Sequence, residues 1–152
     1  MSAGGKRMTR MGWPMQPDDE KEVREVYALC HPDQPARAPD WYWAYPTLVL
    51  IQENHVMGFT SFSLSPGPSG VLTLFGNDVC VTPDCQGRGF GWELAQARLE
   101  VGRNFGATAF IGITAVTNRP MQRIFERQGL HACQRLPGYF GAVDAWAWAG
   151  AL

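Results

Sequence analysis

Apolar and polar positions recur with clear periods along this chain and mark out strands and helices in turn. Lys6 to Trp13 reads as a weak first strand with Met8 and Met11 as its apolar positions, ended by Pro14 and Pro17. Asp18 or Asp19 can then cap a helix whose first turn is acidic, as the helix dipole favours. Val23, Val26, Tyr27 and Cys30 follow at one-turn spacing and form a single buried stripe. Thr47 to Gln52 and Met57 to Leu64 are two strands joined by Glu53-Asn54-His55. His55, at the tip, is expected to be exposed and without a catalytic role.

A second turn, Ser65 to Gly70, leads into a fourth strand over Val71 to Val81. Period-two counting puts Phe75, Asn77, Val79 and Val81 on one face and Asp78 on the other. Trp92 to Asn104 reads as a helix with Leu94, Ala95, Leu99 and Phe105 on its buried side and Gly106 as its stop. Ala109 to Val116 is a fifth strand. Asn118 and Pro120 start another helix, where Met121, Ile124, Phe125 and Gln128 keep helical spacing up to Gly129. His131 to Arg135 and Val143 to Ala149 are the last strands, linked through Leu136 to Ala142, with Trp146 and Trp148 on one face in the core. The segment from His31 to Pro46 is irregular and holds Trp41-Tyr42-Trp43-Ala44-Tyr45. It is either a short helix laid on the sheet or an apolar wall of a pocket.

The chemistry concentrates where the fourth strand gives way to a helix, at Gln86-Gly87-Arg88-Gly89-Phe90-Gly91. Glycine permits a tight turn and close approach to a ligand. The free N–H groups of a helix start, with the positive end of its dipole, attract anions. The glycines stand at 87, 89 and 91, which is not the spacing of a dinucleotide loop, and the Gly-Lys-Ser/Thr of a P-loop is absent.

Gln-x-x-Gly-x-Gly after an apolar strand, with Pro83 three residues before Gln86, resembles the acyl-CoA signature of the GNAT superfamily of N-acetyltransferases. Asn118, a short helix and Gln128-Gly129-Leu130 are similar to its second signature. Gly138-Tyr139-Phe140 followed by Asp144-Ala145 is similar to its ribosomal-protein N-terminal acetyltransferase branch. The resemblance implies an α/β fold, a mixed central sheet of six or seven strands flanked by about four helices. It implies acetyl transfer from acetyl-CoA, as cosubstrate, to a primary amine by direct attack in a ternary complex. The acceptor would be a protein N-terminus, a lysine or a small amine. It places Val79, Cys80, Val81, Gln86, Gly87, Arg88, Gly89, Phe90, Gly91, Asn118, Arg123 and Phe125 at the cofactor, and Trp41, Trp43, Tyr45 and Tyr139 at the acceptor. Tyr139 and Asp78 are the candidate catalytic residues. The chain departs from the family at Phe125, where many relatives carry a Tyr that protonates the leaving thiolate.

Composition bounds these readings. The 152 residues are 45% hydrophobic and 18% charged, suited to one domain over residues 6–152 after a flexible 1–5. The net charge of −1 argues against a nucleic-acid partner. Eight acidic and three basic residues lie from Gln16 to Asn54, whereas seven Arg and three Glu lie from Gln86 to Arg135. This asymmetry suits an amine on one side and an anionic cofactor on the other, or is a plain solvated surface. Cys30, Cys80, Cys85 and Cys133 lack metal-site spacing, so no metal is expected, and a reduced, cytoplasmic setting is the default. No apolar run reaches the length of a membrane span. Edge strands and the aromatics near Trp41 suit a homodimer, though nothing selects one. Two other classes remain open, a non-catalytic acyl-CoA-binding module and a cofactor-free interaction domain.

Overall fold

The computed structural model describes residues 9–12, 14–32 and 45–152. The expectations for residues 1–5, Met8, Trp13, Trp41 and Trp43 lie outside the described residues. Seven strands form one mixed sheet in the order β1-β2-β3-β4-β5-β7-β6. Three α-helices and two 3-10 turns stand among the described residues. The chain divides into two compact units, Met1–Ser61 with Asp78–Ala97, and Phe62–Asn77 with Arg98–Leu152.

In the first unit β1 (Thr9–Gly12) pairs antiparallel with β2 (Thr47–Gln52), and β2 with β3 (His55–Pro66). The turn between β2 and β3 is two residues long. Glu53 and Asn54 both take positive φ, 51° and 62°, as a tight hairpin requires. His55 therefore opens β3 instead of sitting at the tip. It stays exposed, with its Nδ1 2.8 Å from Glu22 Oε1. All six residues of β2 are buried, because both faces of the strand are covered. Val49 and Ile51 pack with Val23, Val26 and Tyr27 of α1 (Glu20–Cys30), while Leu50 packs with Val81, Cys85, Phe90 and Leu94. Asp19 does not cap α1 with its side chain. Its Oδ2 instead accepts from Gln16 N–H at 3.1 Å, closing the 3-10 turn Pro17–Asp19 that precedes the helix.

In the second unit β4 (Leu72–Val81) runs parallel to β5 (Ala109–Ala115), with Thr73 opposite Ala109 and Gly76 opposite Gly112. β5 pairs on its other edge with β7 (Val143–Ala151), from Ala109–Ala151 to Ala115–Ala145. β6 (His131–Phe140) pairs with β7 and ends the sheet order. The buried face of β5 carries Phe110, Gly112 and Thr114. Phe110 meets Phe125 of α3 (Arg119–Arg127) edge-on at 5.5 Å, and Phe125 meets Trp148 at 5.6 Å. Trp148 Nε1 donates to Thr114 Oγ1 at 2.8 Å, which satisfies two buried polar groups together. Gly112 is required here. A Cβ on it would stand 2.8 Å from the Phe125 ring and 2.9 Å from the Phe110 ring.

Three sequence expectations change in this unit. Phe105 is 58% exposed, beyond the buried side of α2 (Phe90–Asn104), which buries Arg98 instead. Trp146 is only half-buried, with the Arg135 guanidinium 5.4 Å over its ring, so Trp148 alone of the pair is core. Finally, Leu136 to Phe140 is not a link but part of β6, and the true turn is Gly141-Ala142. Pro137 reads as a strand breaker, yet Asp144 repairs the ladder. Its Oδ1 accepts from Gly138 N–H at 2.8 Å, and its Oδ2 from Arg135 Nη2 at 2.9 Å.

The Gly138 N–H and then the Arg135 guanidinium hold the Asp144 carboxyl below the usual carboxylate range. A depressed folded pKa gives stabilisation that is present above the unfolded value, about 3.9 for Asp, and lost as pH falls through the lower folded value. The protection of the Gly138 amide, its exchange measured against the intrinsic rate at each pH, should therefore hold above that range and fall only on acidification below it. The same loss of protection at neutral pH is expected for Asp144→Ala, which removes the acceptor of the Gly138 N–H.

Candidate functional site

The end of β4 and the start of α2 build a ring of backbone donors within the first unit. Thr82 N–H donates to Met57 O at 2.9 Å, and Pro83–Cys85 forms a 3-10 turn. Cys85 is buried against Met57, its thiol 3.5 Å from that sulfur. Gln86 folds back, its Nε2 donating to Val81 O at 3.1 Å and its N–H to Pro83 O at 3.3 Å. Gln86 thus ties the loop to the strand and spends its own donors in doing so. Phe90 anchors the far side by burial among Leu50, Val81 and Leu94.

Between these anchors Gly87 and Gly89 take φ of +81° and +83°. A Cβ at either would meet nothing within 4 Å, so the space beside the loop is open. Among the described residues, the N–H groups of Gly89, Phe90 and Gly91 donate to no backbone acceptor. The first intrahelical bond is Glu93 N–H to Gly89 O at 3.0 Å. Position 89 is glycine, so no Ser, Thr or Asp side chain competes for these donors. Helix α2 is 15 residues long, enough for a full end charge at its N-terminus. Arg88 is exposed on the loop and adds a whole positive charge. The result is a site for a polyanion.

The strand leading in carries the remaining cofactor candidates of this unit. Val79 and Val81 lie with the Leu50 cluster, and Cys80 lies on the other face beneath α1. Asp78 shares the Cys80 face by alternation, and its carbonyl accepts from Thr60 Oγ1 at 2.7 Å. Tyr45 is 37% exposed.

In the second unit the parallel ladder stops at Gly76–Gly112, and Asn77 and Ile113 fall outside the register. Ile113 remains paired with Ala147 on the other side. The β4-facing edge of β5 therefore has backbone groups beyond Gly112 that this ladder does not use. Asn118 Oδ1 accepts from Met121 N–H at 3.2 Å and caps α3. Its amide group is exposed with it. Sequence reasoning missed Gln122, which is buried. Its Nε2 donates to Val116 O at 2.9 Å and to Ala115 O at 3.2 Å, pinning α3 to the end of β5. The signal available was a polar residue beside an apolar stripe, which is common and unspecific. Arg123 is exposed on α3, whereas Phe125 is 2% exposed. Tyr139 is 54% exposed, its ring edge-on to Phe140 at 4.9 Å. Among the described residues no group of three or more His, Cys, Asp or Glu could hold a metal ion, and no helix is long and apolar enough to cross a membrane.

The profile of the family described as "Acetyltransferase (GNAT) family" matches residues 17–130. A search of curated protein sequences finds no match. Among solved structures, the ribosomal-protein-S18-alanine N-acetyltransferase from Escherichia coli is similar with a TM-score of 0.80 at 15% identity, covering 95% of this chain and 94% of that one. The yncA protein of Salmonella typhimurium, solved with its cofactor acetyl-CoA, gives 0.80 at 21% identity, covering 95% and 94%. NAA60 of Arabidopsis thaliana, solved with a bisubstrate analogue, gives 0.81 at 11% identity, covering 95% and 98%. At such identities the likeness establishes the fold.

Proposed function

Because the chain belongs to the acetyltransferase (GNAT) family and is by that membership an acyltransferase, we propose that it moves an acetyl group from acetyl-CoA to a primary amine. The observation that carries this reading is the run of three unused N–H groups from Gly89 to Gly91 at the start of α2. They suit the pyrophosphate of coenzyme A, with Arg88 beside them. The β4 backbone from Val79 to Val81 takes the pantetheine arm; Asn118 and Arg123 on α3 enter this reading as cofactor residues from the resemblance to the family's second signature alone. The family match spans both compact units, which supports one acetyltransferase domain. Four free cysteines suit a reducing compartment such as the cytoplasm.

The amine attacks the thioester carbonyl directly, the C–N bond forms, and the C–S bond then breaks. A protonated amine has no lone pair to give, so a base must first take its proton. Asp78 and Tyr139 are the two proton-handling groups of this reading. Phe125 has no proton to donate, so the thiolate leaves unassisted by that residue. Backbone N–H groups of β4 stabilise the oxyanion, and holding the two substrates together supplies much of the rate. A peptide N-terminus is the favoured acceptor class. Its support is the Gly138-Tyr139-Phe140 and Asp144-Ala145 pattern, whose exposed aromatics stand on a carboxylate-braced hairpin.

Calorimetric titration with acetyl-CoA, and with desulfo-CoA alongside, tests the reading. Micromolar affinity, about −8 kcal/mol, is the expected result, followed by acetylation of peptides in preference to small amines. Absence of binding at millimolar ligand would overturn it. Tyr139→Phe should lower turnover by about a hundredfold, the scale of lost acid–base catalysis, while leaving acetyl-CoA affinity unchanged. A wild-type rate would make Tyr139 a packing residue only.

A further inference from the structure

Three titratable side chains meet beneath α1, and the acetyl-transfer reading uses none of their titratable groups; it calls on Cys80 only through its backbone. Cys30 ends α1, half-buried, and its thiol donates to Val81 O at 3.2 Å. The Cys80 thiol on β4 is buried in the cluster against which Cys30 packs. On its other side Cys80 Sγ lies 3.7 Å from His31 Nε2. The His31 ring packs on Tyr27, with centroids 4.6 Å apart. The imidazole and the two thiols thus lie in one cluster, with the Val81 carbonyl on Cys30.

Buried cysteines commonly serve as small apolar side chains. Cys85, packed on the Met57 sulfur, fits that description. Cys133 is exposed and donates to Ala147 O. The pair at 30 and 80 differs from both in having a second thiol and a base at hand.

We propose that Cys30 and Cys80 are a peroxide-reactive dithiol that closes into a disulfide between the end of α1 and β4. Cys30 is the attacking group. The Cys80 hydrogen bond holds its thiol below the usual range, against burial and the charge of Asp78, which act in the opposite sense. A thiolate is the reactive form, and Cys30 is the more accessible of the two. Its sulfur attacks one oxygen of a hydroperoxide. The S–O bond forms, the O–O bond breaks, and the leaving oxygen takes up the proton that Cys30 gave up on ionising, so that water or an alcohol leaves and Cys30 is now a sulfenic acid. Cys80 passes its proton to His31 Nε2, and its sulfur attacks the Cys30 sulfur. The S–S bond forms, the S–O bond breaks, and the departing hydroxide takes the proton as water. Two thiols have lost two electrons and the peroxide has gained them.

Closure removes the S–H donor from Val81 O, the same carbonyl that anchors Gln86. The switch therefore acts on the root of the glycine loop. The thiol chemistry itself stands whether or not that loop binds acetyl-CoA.

The test treats the full chain, in its native state, with one equivalent of hydrogen peroxide, followed by alkylation and peptide mass mapping. The expected product is a Cys30 peptide linked to a Cys80 peptide, released by dithiothreitol, with Cys85 still alkylated. In Cys80→Ser the linkage is absent and dimedone traps a sulfenic acid at Cys30. In His31→Gln the sulfenic acid forms at the normal rate and closure slows. The proposal is overturned if wild-type Cys30 and Cys80 remain free thiols after Cys133 is oxidised, or if Cys30 passes to sulfinic acid without linkage. These wild-type readouts need no variant to fold.

Discussion

Gly89→Glu is expected to weaken acetyl-CoA binding by at least about a hundredfold, which corresponds to roughly 2.7 kcal/mol. Two effects combine. Gly89 has φ of +83°, and an L-residue there costs roughly 1–2 kcal/mol. The larger effect is electrostatic. The carboxylate would lie among the unused N–H groups of Gly89 to Gly91 and occupy the position of the pyrophosphate while repelling it. Gly89→Ala separates the two, because a Cβ at this position meets nothing within 4 Å. The alanine variant should fold with a modest loss of affinity, and the glutamate variant should fold equally well and not bind. Unchanged affinity in Gly89→Glu, measured by the same calorimetric titration, would remove the loop from the cofactor site.

The loop was legible in the sequence because its causes are local. Glycines at positive φ, a proline turn and a helix start all act within a few residues. The same holds for the hairpin at Glu53-Asn54 and for the α1 stripe of Val23, Val26 and Tyr27. What the sequence hid depends on partners far along the chain. Pro137 looks like the end of a strand until Asp144 accepts from Gly138 N–H across the hairpin. Arg98 and Gln122 carry polar heads that suit solvent, yet both are buried. Gln122 is there because two carbonyls at the end of β5 need a donor. Val81 O, joined by Cys30 and by Gln86, is a backbone atom whose partners no side-chain pattern records. Candidate site residues were legible as types and positions in a motif, while their division between binding and bracing was not. Gln86 and Asn118 each spend a side-chain group on holding the backbone in shape.

Phe125 shows most directly how packing limits chemistry. Its ring is 2% exposed and sits between Phe110 and Trp148, with its far carbon turned toward Gly112. Phe125→Ala should therefore destabilise the protein by about 3–5 kcal/mol, read as a lower denaturation midpoint with an unchanged slope. Phe125→Tyr restores the residue common in the family, but here the hydroxyl would extend from the carbon that already faces Gly112. Overpacking of this kind costs roughly 1–3 kcal/mol, or a fall of about 2–12 °C in Tm for a chain of this size. Turnover at a temperature where the variant is folded should not rise. The reason is positional, since a hydroxyl held in the Phe110–Trp148 cluster is committed to the core and cannot reach a leaving thiolate. A Phe125→Tyr variant of wild-type stability and increased turnover would show the opposite, that the ring leaves the cluster to act as the proton donor.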